Sequence, residues 1–390
     1  MINSSFFPGK LRHYTRVRFA ALAVCAWLGL LSTSASMAQT TPAAPTAKRP
    51  AQPPVISPEI LPDQRVTFRL QAPKAATVTV SGQFQKGPAT MTRNESGLWS
   101  VTVGPVPSGI HEYSFNVDGL SMIDPANRAI KPMRAPRTSI LEIPGQPPLV
   151  HDFQDVPHGK VSLHWYASKS LGRRRPMQVY TPPGYDADPA TRYPTLYLFH
   201  GSGDNEATWV AHGHAHWILD NLVAQQRAQP MIVVMLDGHA VAPGPATERN
   251  ANTAAFERDV LEDAMPLVKT NYRTREGAAH HAIIGLSMGG GQSLNIGLKH
   301  PDRFAWVGGM SSSVREGVAL IGDGSALNQK LKLLWFACGK DDALVKANQD
   351  FAAALAAKNV RHTYLETEGN HSWPVWRKYL ADFVPLIFHD

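Results

Sequence analysis

The sequence predicts an α/β chain whose larger part, residues 150–390, is a doubly wound, mostly parallel sheet, preceded over 58–145 by a small β-sandwich. Three observations carry this. In the C-terminal part, the strand-like runs "PTLYLFHG", "MIVVMLDG", "HAIIGLS", "LKLLWFACG" and "HTYLETEG" alternate with helix-period segments, the pattern of parallel strands joined by crossover helices. Upstream, "RVTFRLQAP", "ATVTVSG", "LWSVTVG" and "HEYSFNVDG" alternate apolar and polar residues between turn signals. Finally, "HHAIIGLSMGGGQSLNIGLKHP" holds Gly285-x-Ser287-x-Gly289 between a strand pattern and a helix pattern.

From the N-terminus, residues 1–38 read as a secretory signal peptide. Lys10, Arg12, Arg16 and Arg18 lead into an apolar run from Phe19 to Leu31, and Ser36-Met37-Ala38 precedes Gln39. Small residues at the first and third positions before the cut are what such a site needs. The run is shorter than the roughly 20 residues of a spanning helix, so no stable membrane anchor is expected. Val24 is too large for a residue preceding a lipidated Cys25. Export to the periplasm or beyond is therefore expected. Four of the 38 basic residues leave with the signal and no acid does, so the formal charge falls from +7 to +3. With no basic stripe, a nucleic-acid partner is excluded as the basis of function. Cys338 is then the sole cysteine, an inert core thiol, and no internal disulfide forms.

Residues 39–57, rich in Pro, Ala and Thr, read as an extended linker. The strands of 58–145 are separated by Pro73-Lys74, Asn94 to Gly97 and Ser108-Gly109, which fits an immunoglobulin-like β-sandwich. Trp99, Tyr113 and Phe115 fall in its strand patterns as core residues. "IPGQPP" leads out. In 150–390, two antiparallel strands around 161–168 and 177–180 come first, and helices are predicted near 215–226, 256–271, 288–299, 344–358 and 375–384.

Chemistry in such sheets sits at the carboxyl ends of the strands. The 281–284 strand, the serine turn and the helix ending at His300-Pro301 make a nucleophile elbow, with glycines where side chains would clash. Ser287 is the predicted nucleophile. A serine hydroxyl needs a base to take its proton, and partners in the order serine, acid, histidine follow downstream. Asp341 or Asp342 ends "ACGKDD", and either could instead cap the next helix. His371 in "TEGNHSW" is the predicted base. The Met288 N–H and an N–H of the loop after "YLFH", Ser202 or alternatively Gly203, are the expected oxyanion donors. His212, His214 and His216 are spaced like metal ligands, but Gly213 interrupts a regular helix. They are read as lining the entrance loop, with no metal and no cofactor expected. Trp209 and Trp373 are candidates for the substrate pocket.

The set "HGSGDNEATW", "GLSMGGGQSLNIGLKHPDRF", "CGKDDALV" and "TEGNHSWPVWRKYL" resembles the esterase-D-like branch of the α/β-hydrolases, which includes feruloyl and acetylxylan esterases of carbohydrate esterase family one. The resemblance covers about 150–390. It implies an α/β-hydrolase fold. In the family the acid is third after the glycine of a G-x-x-D pattern, which maps to Asp342, and the histidine of G-x-H-x-W maps to His371. Ser202-Gly203-Asp204 departs from the family's glycine run. The stretches "VTFRLQAPKAATVTVSG", "GLWSVTVGPVPSGIHEYSFNVDG" and "DPANRAIK" resemble the early-set module ahead of glycogen-branching enzymes and some xylan-active esterases. In some relatives that module binds polysaccharide.

The resemblance implies an exported serine carboxylic-ester hydrolase acting on feruloylated or acetylated polysaccharide or oligosaccharide, feruloyl above acetyl. Siderophore esterases of the enterobactin type share the hydrolase domain behind a β-module, and acyl transfer to a sugar follows if an alcohol replaces water. A polysaccharide-binding protein without turnover is the non-enzyme alternative. The complete set of Ser287, Asp342 and His371 argues against it.

Overall fold

The computed structural model describes residues 54–242, 248–314, 319, 321–322 and 324–389. The signal peptide expected at 1–38, with Cys25, and the linker as far as residue 53 lie outside the described residues.

Nine short strands come first: β1 Glu59–Ile60, β2 Val66–Gln71, β3 Val78–Gly82, β4 Ala89–Thr90, β5 Thr92–Arg93, β6 Leu98–Val103, β7 Gly109–Val117, β8 Leu120–Met122 and β9 Ser139–Ile143. They form two antiparallel sheets, β1-β2-β6-β5 and β4-β3-β7-β8 with β9 on β7. Period-two alternation turns Phe68 and Leu70 of one sheet, and Val78, Val80, Tyr113 and Phe115 of the other, into one buried cluster. Trp99, Tyr113 and Phe115 all belong to that core.

An eight-stranded mixed sheet follows. Its strands are β10 Lys160–Ser168, β11 Arg173–Thr181, β12 Thr195–Phe199, β13 Ile232–Leu236, β14 His281–Gly285, β15 Trp306–Met310, β16 Leu333–Gly339 and β17 Thr363–Thr367. The spatial order is β10-β11-β13-β12-β14-β15-β16-β17. β10 and β11 pair antiparallel, as does β11 with β13, and the rest are parallel. The helices are α1 Thr208–Ala211, α2 Ala215–Ala224, α3 Glu248–Arg258, α4 Met265–Asn271, α5 Met288–Lys299, α6 Gly324–Lys330, α7 Val345–Ala357 and α8 Trp373–Phe383, with a π-turn at Asp259–Ala264 between α3 and α4.

Every residue of β12 and β13 is buried, because helices cover both faces. Leu196 and Leu198 point to one core with Ile218, Leu222, Tyr379 and Phe383, while Tyr197 and Phe199 point to the other with Phe256, Leu294 and Phe351. The fold is that of an α/β-hydrolase behind a β-rich module. The helices α1 and α6 were not expected from the sequence, and two further differences have a clear outline. The helix predicted from 256 begins at Glu248. β15 went unrecognised because "WVGGM" carries two glycines, which weaken a strand pattern. Packing requires them: a Cβ on Gly308 would lie 2.7 Å from Ile284 Cδ1, and one on Gly309 2.3 Å from Ser312 Oγ.

The order in which successive strands are added reverses at β12, which has β13 on one side and β14 on the other, both parallel to it. Phe199 is in register with Gly285. The loops leaving β12 and β14 therefore emerge side by side at the carboxyl edge, the switch point where such sheets place ligands.

Candidate active site

The turn after β14 holds Ser287 at φ 54° and ψ −112°, a conformation costly for a residue with a side chain. Neighbours enforce it. A Cβ on Gly285 would meet Gly289 C at 2.5 Å, and one on Gly289 would meet His200 O at 2.4 Å. The Ser287 N–H donates to Met310 O at 2.8 Å, so β15 braces the elbow from one side. The hydroxyl stands at the N-terminus of α5, where amide N–H groups favour negative charge.

The loops after β16 and β17 converge on it. Gly339 is in register with Thr367, and Asp341 N–H donates to Gly369 O at 3.0 Å. His371 Nε2 lies 3.0 Å from Ser287 Oγ, and His371 Nδ1 lies 2.8 Å from Asp342 Oδ2 and 3.0 Å from Oδ1. The serine, histidine and aspartate thus form one continuous hydrogen-bonded chain. The neighbouring aspartate, Asp341, is exposed, while Asp342 is buried. Burial works against the Asp342 carboxylate, but the donors His371 and Leu344 N–H (2.8 Å) outweigh it and hold its pKa below the ordinary carboxylate value. Of the two roles weighed for Asp341 or Asp342, the pairing with histidine falls to Asp342, while α7 has Leu344 at its N-cap and no side-chain cap.

Two residues outside the expected set steady this chain. Trp376 sets its ring edge-on to His371, 4.9 Å between centroids, and donates from Nε1 to Ser311 Oγ at 3.1 Å. The signal was a second tryptophan, one helical turn beyond Trp373.

The loop after β12 faces the serine: a Cβ on Gly201 would be 3.5 Å from Ser287 Cβ. Gly238 N–H donates to His200 Nε2 at 2.8 Å, so the ring proton sits on Nδ1 and donates to Gly201 O at 2.8 Å. Gly203 N–H donates to His239 Nε2 at 3.3 Å. Among the described residues, the N–H groups of Ser202 and Met288 enter no backbone hydrogen bond. Arg175, buried against Asp259, donates to His239 O at 2.7 Å and holds the 237–239 turn that supports this loop.

Two expectations need correction. Trp209 and Trp373 are 1% and 3% exposed. Trp209 Nε1 donates to Phe199 O at 3.0 Å and its ring packs on Trp373 at 5.0 Å, so neither offers a face to a substrate. The histidines expected at an entrance loop are turned inward instead. His212 and His214 are 0% and 4% exposed, and each lies 3.3 Å from a carboxylate of the β-rich module, Glu112 and Glu142 respectively. Their partners differ, and among the described residues no group of three or more His, Cys, Asp or Glu side chains is placed to hold a metal. Cys338 is fully buried, and burial raises its thiol pKa to about 12.

The Esterase family model matches residues 168–387. The chain belongs to the Esterase family. It is 29% identical over 328 residues to an endo-1,4-beta-xylanase/feruloyl esterase of Xylanibacter ruminicola, covering 82% of this chain and 44% of that protein. It thus spans less than half the length of that curated relative. Among solved structures, a ferulic acid esterase superposes with a TM-score of 0.53 at 26% identity, covering 58% of this chain and 97% of that one. The enterobactin esterase of Shigella flexneri, solved in the presence of 2,3-dihydroxy-N-benzoyl-serine, superposes with a TM-score of 0.61 at 21% identity, covering 83% of this chain and 94% of that one. That last likeness extends the shared fold beyond the family match.

Proposed function

We propose that this chain is an exported serine esterase that hydrolyses aromatic acyl esters of plant cell-wall polysaccharide, feruloyl esters first. The observation that carries it is the hydrogen-bonded chain from Ser287 Oγ through His371 to Asp342, at 3.0 and 2.8 Å. In that arrangement His371 takes the serine proton as Oγ attacks the ester carbonyl. Asp342 fixes the tautomer with Nδ1 protonated and stabilises the imidazolium. The oxyanion forms at the helix N-terminus, with the Met288 N–H and the Ser202 N–H as donors. Gly203 is the weaker candidate, since its N–H is engaged by His239. His371 then protonates the leaving sugar alcohol, and water activated by the same ring releases the acid.

The acyl preference is supported by the names of the Xylanibacter relative and the solved ferulic acid esterase. Export is supported by the basic and apolar leader of residues 1–38. The module over 58–145 is read as an early-set domain, with 150–390 as the esterase domain. A second reading, cleavage of a siderophore ester, is favoured by the enterobactin esterase fold covering 83% of this chain.

The test is a paired assay of residues 39–390 and its Ser287→Ala variant on methyl ferulate, acetylated xylan and a catecholate siderophore ester. Ferulate release lost in the variant supports the proposal. Acetate or catecholate release alone keeps the mechanism and moves the substrate. Activity that survives Ser287→Ala overturns it.

A further inference from the structure

Resting on the reading of Ser287 as nucleophile, we infer that the N-terminal β-rich module is part of the catalytic apparatus, with Lys131 a positioning residue that clamps the loop 201–204 through Asp204. The backbone contact comes first. Arg134 N–H donates to Gly203 O at 2.9 Å, and Thr208 Oγ1 donates to Pro132 O at 2.7 Å. Met133 and Asp204 form an antiparallel bridge. The segment between β8 and β9 is thus laid along the loop whose Gly201 lies beside Ser287.

Lys131 fastens the contact with charge. Its ammonium lies 3.0 Å from Glu112 Oε1 of the module and 3.5 Å from Asp204 Oδ1 of the loop, with 9% of its side chain exposed. It also sits 5.8 Å from the Trp373 ring centroid. Asp204 is 4% exposed, and burial raises its pKa against the opposing pull of Lys131. Glu112 takes a further hydrogen bond from Thr138 Oγ1 at 2.9 Å. Without the cation, the buried Asp204 carboxylate and the part-buried Glu112 carboxylate face each other across the contact with no ammonium between them, a costly state relieved by moving the loop. That movement displaces the Ser202 N–H. The same cluster reaches the other side of the site. Trp373 is two residues past His371, and Arg377 on α8 donates to His212 O at 2.7 Å beside Glu112.

The experiment uses the full chain with Lys131→Met, Lys131→Arg and Asp204→Asn. Hydrolysis of p-nitrophenyl acetate is read as kcat and KM separately, alongside hydrogen exchange at the amides of Gly203, Asp204 and Asn205. Each of these amides has an acceptor in the loop's native form. Lys131→Met is expected to lower kcat by about ten- to a hundredfold, with KM within about twofold, as for a displaced oxyanion donor. Its loop amides exchange faster, and Lys131→Arg restores both readouts. Wild-type kcat and wild-type exchange in Lys131→Met overturn the proposal, as does a lowered Tm with kcat intact. If Lys131→Met does not fold, Asp204→Asn removes the same pair, and an unchanged kcat there overturns it. If the wild type turns over no ester, the esterase reading falls and loop exchange alone decides the clamp.

Discussion

Asp342 holds His371 with both carboxylate oxygens, at 2.8 and 3.0 Å to the same Nδ1, while Oδ1 also accepts the Leu344 N–H. The carboxylate is therefore fixed by its own chain before it fixes the imidazole. Asp342→Asn puts an amide in its place and permits the wrong tautomer of His371. The expected fall in kcat is about ten-thousandfold, with little change in KM. Asp341→Asn, at an exposed side chain, leaves kcat within about twofold. Steady-state kinetics on the two variants separates the neighbours.

Trp209 is core, and its substitution reads as stability. Trp209→Phe removes the Nε1–H donor and leaves Phe199 O, a buried carbonyl at the end of β12, without its side-chain partner. Phe199 O keeps the Leu286 N–H at 3.1 Å, so the expected loss is about 0.5–1.5 kcal/mol by urea unfolding, with KM for the ester unchanged in the folded fraction. A rise in KM with stability intact would restore Trp209 to the pocket.

These two residues mark what the sequence makes legible. The Gly285-x-Ser287-x-Gly289 turn is readable because its chemistry is local: a strand, two glycines that exclude side chains, and a helix. His371 is readable because chain order and strand ends are local too, whereas these leave Asp341 and Asp342 open and only the G-x-x-D spacing of the resemblance selects Asp342. Trp209 is not, since a tryptophan beside a catalytic loop looks the same whether its ring faces solvent or the sheet. β15 hid behind Gly308 and Gly309, whose need arises from Ile284 and Ser312 on other segments. Lys131 and Asp204 lie 73 positions apart, and no spacing rule joins a β-module to a loop after β12.

The module contact gives stability a pH dependence. Burial works against the Glu112 carboxylate, yet His212 and Lys131 beside it bring its pKa down to about 2. The unfolded chain therefore binds this proton first. The stabilisation is complete above the unfolded value of about 4.5 and is lost as pH falls towards 2. His212 acts in the same direction, since burial brings its pKa down to about 4 and its stabilisation is lost as pH falls from about 6.5. Thermal unfolding is expected to show Tm falling from about pH 6 downward. Glu112→Gln should lower Tm at pH 7 and narrow its gap to the wild type near pH 3. A gap independent of pH would remove Glu112 from this role.

Gly203 supplies the last test, because its N–H is committed to His239 Nε2 at 3.3 Å. Burial, with His200 nearby, brings the His239 pKa down to about 4, so the ring stays neutral and can accept at Nε2. His239→Phe keeps the bulk and removes the acceptor. The loop then loses one of the bonds that set its shape, while Arg134 N–H still holds Gly203 O and Lys131 still faces Asp204. The expected result is a fall in kcat of about tenfold, smaller than for removal of a direct oxyanion donor, with KM little changed. A kcat that rises instead means that the freed Gly203 N–H has joined the oxyanion site, which would make it a donor alongside Ser202. Pre-steady-state acylation with p-nitrophenyl acetate distinguishes the two outcomes, since both act on formation of the tetrahedral intermediate.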